Sequence, residues 1–218
     1  MRALRTLLIA TLLFVAVQAL ASEPVADEPF LLQFTHGASE AAGIGKLKEI
    51  SLPDGEREIR IWVGFGVMRT DHMLRLQVGP SGNVNGEVLA HYRNDLSDME
   101  PQDAAEFRQS VLQGCTNPKE GQESNTCTVN YRRAPNWQSI YKRIISLGVL
   151  TLPDESALAA PELEIIDGVA MVVEVRDGSQ YRAYMYSNSW ARKEPEAIAA
   201  TKILQIVGKT MGAARRGT

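Results

Sequence analysis

Ile59, Ile61, Val63, Phe65 and Val67 alternate with Glu58, Arg60, Trp62, Gly64 and Gly66, and no other segment limits the possible folds so tightly. Successive side chains of a strand point to opposite sheet faces, so this alternation marks a strand with one apolar face. Pro53-Asp54-Gly55 precedes it, combining a preset φ with a residue that tolerates positive φ, and the segment Lys46 to Leu52 is read as the other arm of a hairpin around that turn. Leu74, Leu76 and Val78 repeat the alternation. Gly79-Pro80-Ser81-Gly82-Asn83 breaks it, and Val88, Ala90 and Tyr92 resume it.

A third hairpin is expected from Val169 to Ser187, and its register decides which side chains share a face. A three-residue loop Arg176-Asp177-Gly178 sets Val175, Val173, Met171 and Val169 against Ser179, Tyr181, Ala183 and Met185. A two-residue Asp177-Gly178 loop would instead oppose Val173 and Val175 to Arg182 and Gln180 and mix the faces, so the first register is preferred. Phe30 to Phe34 reads as a first strand and Thr128 to Arg132 as another.

Helical spacing appears in three places. Pro101 to Gln113 has proline in the first turn, acids at the positive end, Ala104, Phe107 and Val111 on one face, and Gly114 to close it. Asn136 caps a helix carrying Trp137, Ile140, Tyr141 and Ile144, ended by Gly148. Pro195 to about Gly208 places Ala197, Ala200, Thr201, Leu204 and Val207 on one side. Every strand pair is a hairpin and no βαβ rhythm appears. The expected class is α+β: an antiparallel sheet built from hairpins and a meander, with about three helices packed mainly on one side.

The start of the chain carries an address. Arg2 and Arg5 precede an apolar run from Leu7 to Leu20, and Ala19 and Ala21 supply small residues before Ser22. The pattern is that of a secretory signal peptide cleaved after Ala21, in preference to an uncleaved anchor. Removing 21 residues, among them Arg2 and Arg5, from 218 residues at net charge −3 leaves 197 residues at −5. The expected organisation is a signal peptide (1–21), a mobile leader (22–28), one α+β domain (29–210) and a disordered tail (211–218), with a periplasmic or secreted address and no stable membrane insertion after cleavage. In an oxidising compartment Cys115 and Cys127, eleven polar residues apart, pair as a disulfide rather than serve as reactive thiols. Closing such a loop contributes about 3 kcal/mol in the chain-entropy model.

The acidic balance excludes the electrostatic footprint of a nucleic-acid binder. Gly43-Ile44-Gly45-Lys46 and Gly64-Phe65-Gly66 are fragments of phosphate loops that do not continue, so no cofactor is expected. Gly64 and Gly66 are instead read as room for an aromatic ring from a neighbouring strand. His36, His72 and His91 are scattered, and Asp95, Asp98, Glu100, Asp103 and Glu106 track a helix start, so no metal is expected. Asp71 beside His72 is the one pairing that would orient an imidazole for proton transfer. In the preferred register Glu174 shares a face with Arg182, Tyr184 and Tyr186, and Trp62 extends that patch; Tyr, Trp and Arg are the side chains that dominate binding hot spots. The competing reading has a helix covering that side.

Leu52 to Gly66, Leu150 to Ser156 and the Asp167 to Asn188 hairpin are similar to a group of exported proteobacterial proteins that carry no assigned activity. The resemblance spans most of the mature chain and implies a periplasmic or secreted address. The functional expectation is a non-enzymatic envelope protein recognising a protein or glycan partner; the alternative is a periplasmic hydrolase using His72 or His91 with a carboxylate.

Overall fold

A computed structural model describes residues 29, 31–65, 70–93, 96, 97, 99–120, 124–131, 133–161, 165 and 168–215. The signal peptide and leader (1–28), Gly66 and Val67, Asp95 and Asp98, and the end of the tail (216–218) lie outside the described residues. The strands are β1 (Arg57–Gly64), β2 (Thr70–Val78), β3 (Val84–Arg93), β4 (Cys115–Glu120), β5 (Ser124–Val129), β6 (Ala170–Asp177) and β7 (Gln180–Ser187). They form one antiparallel sheet in the order β4-β5-β3-β2-β1-β6-β7. The helices are α1 (Leu32–Ala41), α2 (Pro101–Gln113), α3 (Trp137–Ser146) and α4 (Pro195–Arg215). The α+β class with an antiparallel sheet is as expected.

The alternation first seen in β1 builds the larger core. Ile59, Ile61 and Val63 stand in register with Leu76, Leu74 and His72 on β2 and with Val175, Val173 and Met171 on β6. This face is closed by Ile144 from α3 and by Ala197, Ala200, Ile203 and Val207 from α4. Ile203 and Ile206 take the inner side of α4, leaving Thr201 and Leu204 half-buried at its margin. The same helix runs through Gly208 and Gly212 to Arg215, where a disordered tail was expected. Helix α2 covers the far end of this face, over Ala90, Tyr92 and Cys127. Three helices therefore share one side.

The fourth lies on the opposite face, where a strand was expected. Leu31, Leu32, Ala38 and Ala42 pack on Trp62, Met73, Leu89 and Val172. Leu31, Thr35, Ala38 and Ala42, all buried, follow one another at steps of four, three and four residues, a helical stripe that a strand would split between two faces. Beyond α1 the chain forms only a 3-10 turn, Leu47–Glu49, so the expected hairpin arm from Lys46 to Leu52 is absent and β1 pairs with β2 and β6 instead. The turn itself holds: Glu56 N–H donates to Pro53 O at 3.1 Å.

Cys115 and Cys127 form the disulfide. It joins two strands rather than an irregular loop, because β4 and β5 make a hairpin with a register shift between Thr116 and Lys119, and β5 begins at Ser124 rather than at Thr128. Of the two glycines read as room for an aromatic ring, Gly66 lies outside the described residues, and the close approach is seen at Gly86 rather than Gly64. A Cβ on Gly86 would lie 2.5 Å from the Trp137 ring, so it is Gly86 that lets an indole lie flat on the sheet, and the indole arrives from a helix. Gly64 serves another purpose: its φ is +135° and a Cβ there would meet Asp71 Oδ1 at 2.4 Å. Gly86→Ala should lower stability by about 1–3 kcal/mol through overpacking. Urea denaturation checks this, and the loss should shrink in a Trp137→Ala background, where the ring that the new methyl meets is gone.

Candidate functional site

The five residues nominated for recognition divide between the two sheet faces. Asp177 pairs with Gln180, leaving a two-residue turn, Gly178-Ser179, with Gly178 at the positive φ (+54°) its first position needs. Val175 then faces Arg182 and Val173 faces Tyr184, so the preferred register is corrected and its parity reversed. Arg182, Tyr184 and Tyr186 point to the side of α3 and α4, whereas Trp62 and Glu174 point to the side of α1. The turn is held by contacts outside the hairpin: Gly178 N–H donates to Glu56 O at 3.1 Å and Leu52 N–H to Gly178 O at 3.4 Å.

On the first side the polar tips fasten the chain that follows α3. Tyr184 Oη donates to Val149 O at 2.8 Å, and the two terminal nitrogens of Arg182 donate to Leu150 O and Leu152 O. The Arg182 guanidinium lies 5.1 Å from the Tyr184 ring centroid, and the Tyr186 ring meets Tyr184 edge-on at 6.0 Å. Burial raises both phenols, Tyr186 to about 12. The connector then shields the sheet edge: Asp154 Oδ2 accepts from Met185 N–H at 2.8 Å and Glu155 Oε2 from Ser187 N–H at 2.7 Å. These carboxylates occupy places on β7 that another strand would take.

On the second side a charge cluster is buried between the sheet and α1. Arg60, fully buried, donates to Glu58 Oε1 (2.7 Å), Ser39 Oγ (3.2 Å), Gly45 O (2.6 Å) and Ile44 O (3.2 Å). Arg75 donates to both Glu58 oxygens and to Glu87, and Gln77 also donates to Glu58. Arg176 donates to Leu47 O, Lys48 O and Ser179 O, and sits 5.3 Å from the Tyr181 ring centroid. Glu174 accepts from Trp62 Nε1 and from Tyr181 Oη, each at 3.1 Å, and His36 Nε2 stands 3.8 Å from its Oε1.

The two central carboxyls are shifted in opposite directions. Burial raises Glu174, outweighing the Arg60 charge and the Trp62 and Tyr181 hydrogen bonds. Burial acts the same way on Glu58, but hydrogen bonds and charge from Arg75 and Arg60 outweigh it and hold that carboxyl below the ordinary value. A depression of about 450 Å³ lies along α3, lined by Asn136, Gln138, Ser139, Lys142, Arg143 and Ser146, apart from both clusters.

The histidines fall in three places. His72 lies in β2, where strand alternation points its neighbour Asp71 to the other face, so the expected Asp71–His72 pairing is not formed. Asp71 instead meets His91 on β3, with Oδ2 3.4 Å from Nδ1, while its Oδ1 accepts from Phe65 N–H at 2.8 Å. The register sets Thr126 of β5 next in that row. A carboxylate, an imidazole and a hydroxyl in this order suit proton transfer; Thr126 is buried, and the His91 side chain is 13% exposed. Among the described residues no group of three or more His, Cys, Asp or Glu side chains is arranged to hold a metal ion, and no helix is long and apolar enough to cross a membrane.

The most exposed aromatic side chain among the described residues was missed in sequence; Phe34 on α1 is the other, at 50%. Trp190 is 60% exposed, on the 3-10 turn Ser189–Ala191. Asn188 enters that turn in the left-handed region (φ 50°), its Oδ1 accepting from Val169 N–H at 3.1 Å. Thr201 Oγ1 then donates to Ser189 Oγ at 2.9 Å, tying the turn to α4. The available signal was Asn188, a residue type that tolerates positive φ, directly after a strand. No model of a known protein family matches the chain, and no curated protein matches it significantly.

The opposite shifts of Glu58 and Glu174 predict opposite pH responses. Glu174 is raised, so between its ordinary value of 4.5 and its folded value the native state holds the extra proton and stability falls as pH rises. Glu58 is lowered, so its contribution is present above the ordinary value and is lost as pH falls towards the folded one. Denaturant titrations of Glu174→Gln across the acid-to-neutral range should gain on the parent as pH rises. Glu58→Gln should show a deficit on the order of 3 kcal/mol at neutral pH that shrinks in acid. Curves parallel to the parent for both variants would contradict the assignment.

Proposed function

We propose that this chain is an exported, non-enzymatic envelope protein that engages its partner through Trp190 and the adjoining surface of α4. Export is supported by the signal-peptide pattern and by the disulfide, which suits an oxidising compartment. The observation that carries the recognition reading is the 60% exposure of Trp190 on a hydrogen-bonded turn. A large amphipathic ring on a fixed turn costs little conformational entropy to bind and is the side-chain type most enriched in hot spots. The residues first nominated serve the interior: Trp62, Glu174, Tyr184 and Tyr186 are each at most 1% exposed, and Arg182 is held by two carbonyls. A partner reaching them would have to displace α1 or α4.

Expression of the full precursor with fractionation tests this proposal. The mature chain should begin at Ser22 and be retained in the envelope fraction. Trp190→Ala should lower that retention several-fold without changing the melting temperature, because the ring covers little of the core. Unchanged retention of a folded Trp190→Ala protein, or recovery of the chain in the cytoplasm with its first 21 residues intact, would contradict the reading.

A further inference from the structure

The outward side of α4 is chemically uneven in a way its inner packing does not require. Ile198, Lys202, Gln205 and Lys209 follow one another at steps of four, three and four residues, and all four are exposed. They form a stripe opposite Ala197, Ala200, Ile203 and Val207, about 16 Å long at 1.5 Å per residue. The stripe holds two lysines and no acid, in a chain whose net charge is −3. The nearby acids are turned aside: Glu196 acts on Tyr186 beneath the helix, and Glu194 is paired with Arg192 at 2.9 Å. At the amino-terminal end of the stripe Ile198 is 42% exposed, and the Ser189–Thr201 hydrogen bond fixes the Trp190 turn beside the same stretch of α4.

We infer that this face seats on the surface of an anionic phospholipid membrane, with Trp190 and Ile198 entering the headgroup region and Lys202 and Lys209 lying over the phosphates. The inference rests on the recognition role proposed for Trp190 and names the partner of that surface. Three features select a lipid surface. The face is the outward side of a single helix, a row of exposed side chains. Its apolar residues are gathered at one end, where an indole and an aliphatic side chain enter an interface together. Its cations have long stems that lie along apolar surface while their heads reach phosphate. Among the described residues no helix is long and apolar enough to cross a membrane, so the attachment is peripheral and reversible.

The test uses the mature chain and vesicles of phosphatidylglycerol mixed with phosphatidylcholine, against vesicles of phosphatidylcholine alone. Co-sedimentation with the anionic vesicles is expected at low salt and should weaken as salt is raised. Lys202→Glu/Lys209→Glu should bind about tenfold or more weakly, with an unchanged melting temperature. Brominated lipid should quench part of the tryptophan emission, and Trp190→Phe should remove most of that part, since Trp62 is buried and Trp137 is half-buried against the sheet. No sedimentation with anionic vesicles, or sedimentation that neither substitution alters, would overturn the inference. So would salt-sensitive binding to dextran sulfate with no quenching by vesicles, which would identify a polyanionic glycan as the partner. If Trp190→Ala still releases the chain from the envelope while vesicles fail to bind, the recognition role stands and the lipid partner falls; if neither assay responds to Trp190, both fall.

Discussion

The guanidinium of Arg60, buried at the centre of β1, is the interaction on which the α1 side depends. Between α1 and β1 the chain runs through Gly43, Ile44 and Gly45 without regular structure, and backbone carbonyls buried there need donors. Arg60 supplies them to Ile44 and Gly45 while Glu58 neutralises its charge. Arg176 does the same for Leu47 and Lys48. Across the sheet Arg182 and Tyr184 satisfy the carbonyls of Val149, Leu150 and Leu152. One solution thus recurs on both faces: long donors rising from β1, β6 and the edge strand β7 hold the covering chain against the sheet. Buried ion pairs of this kind add little net stability over an apolar substitute, so their value lies in specifying where the covering segments dock.

This arrangement explains which parts of the fold were legible. The β2–β3 hairpin, α2 and α3 announced themselves locally, through Gly79 to Asn83, through Pro101 at the first turn, and through the Asn136 side chain, which accepts from Ser139 N–H at 2.9 Å. Helix α1 gave no start signal, since Leu31 offers no side-chain cap, and its run Leu31-Leu32-Gln33-Phe34 resembles a strand when viewed over so few residues. The β4–β5 hairpin was hidden by Pro118 and polar neighbours; it is ordered by the disulfide and by β5 pairing with β3, neither of which has a local signature.

The register of β6 and β7 was misjudged for a more instructive reason. An alternating strand reports its register only when one face is wet and the other dry. Here both are covered, so Arg182, Tyr184 and Tyr186 on one face and Tyr181, Ala183 and Met185 on the other both suit burial. What decided between them was a distant contact, the docking of Gly178 against Leu52 and Glu56. The candidate site inherited the error. The residues nominated are of types typical of recognition, but they face inward, Trp62 to Glu174 and Arg182 and Tyr184 to backbone carbonyls, while an exposed indole lies on a short turn after β7.

The central claim is that the Trp62–Glu174 pair and the Tyr184–Tyr186 pair are interior on opposite faces, whereas the Trp190 ring stands in solvent. Hydroxyl-radical footprinting of the native protein, read residue by residue in a mass spectrometer, measures this directly. The account requires rapid oxidation of Trp190, with Trp62, Tyr184 and Tyr186 protected until the protein is unfolded. Native-state oxidation of Trp62 or Tyr184 at the rate of Trp190 would contradict it.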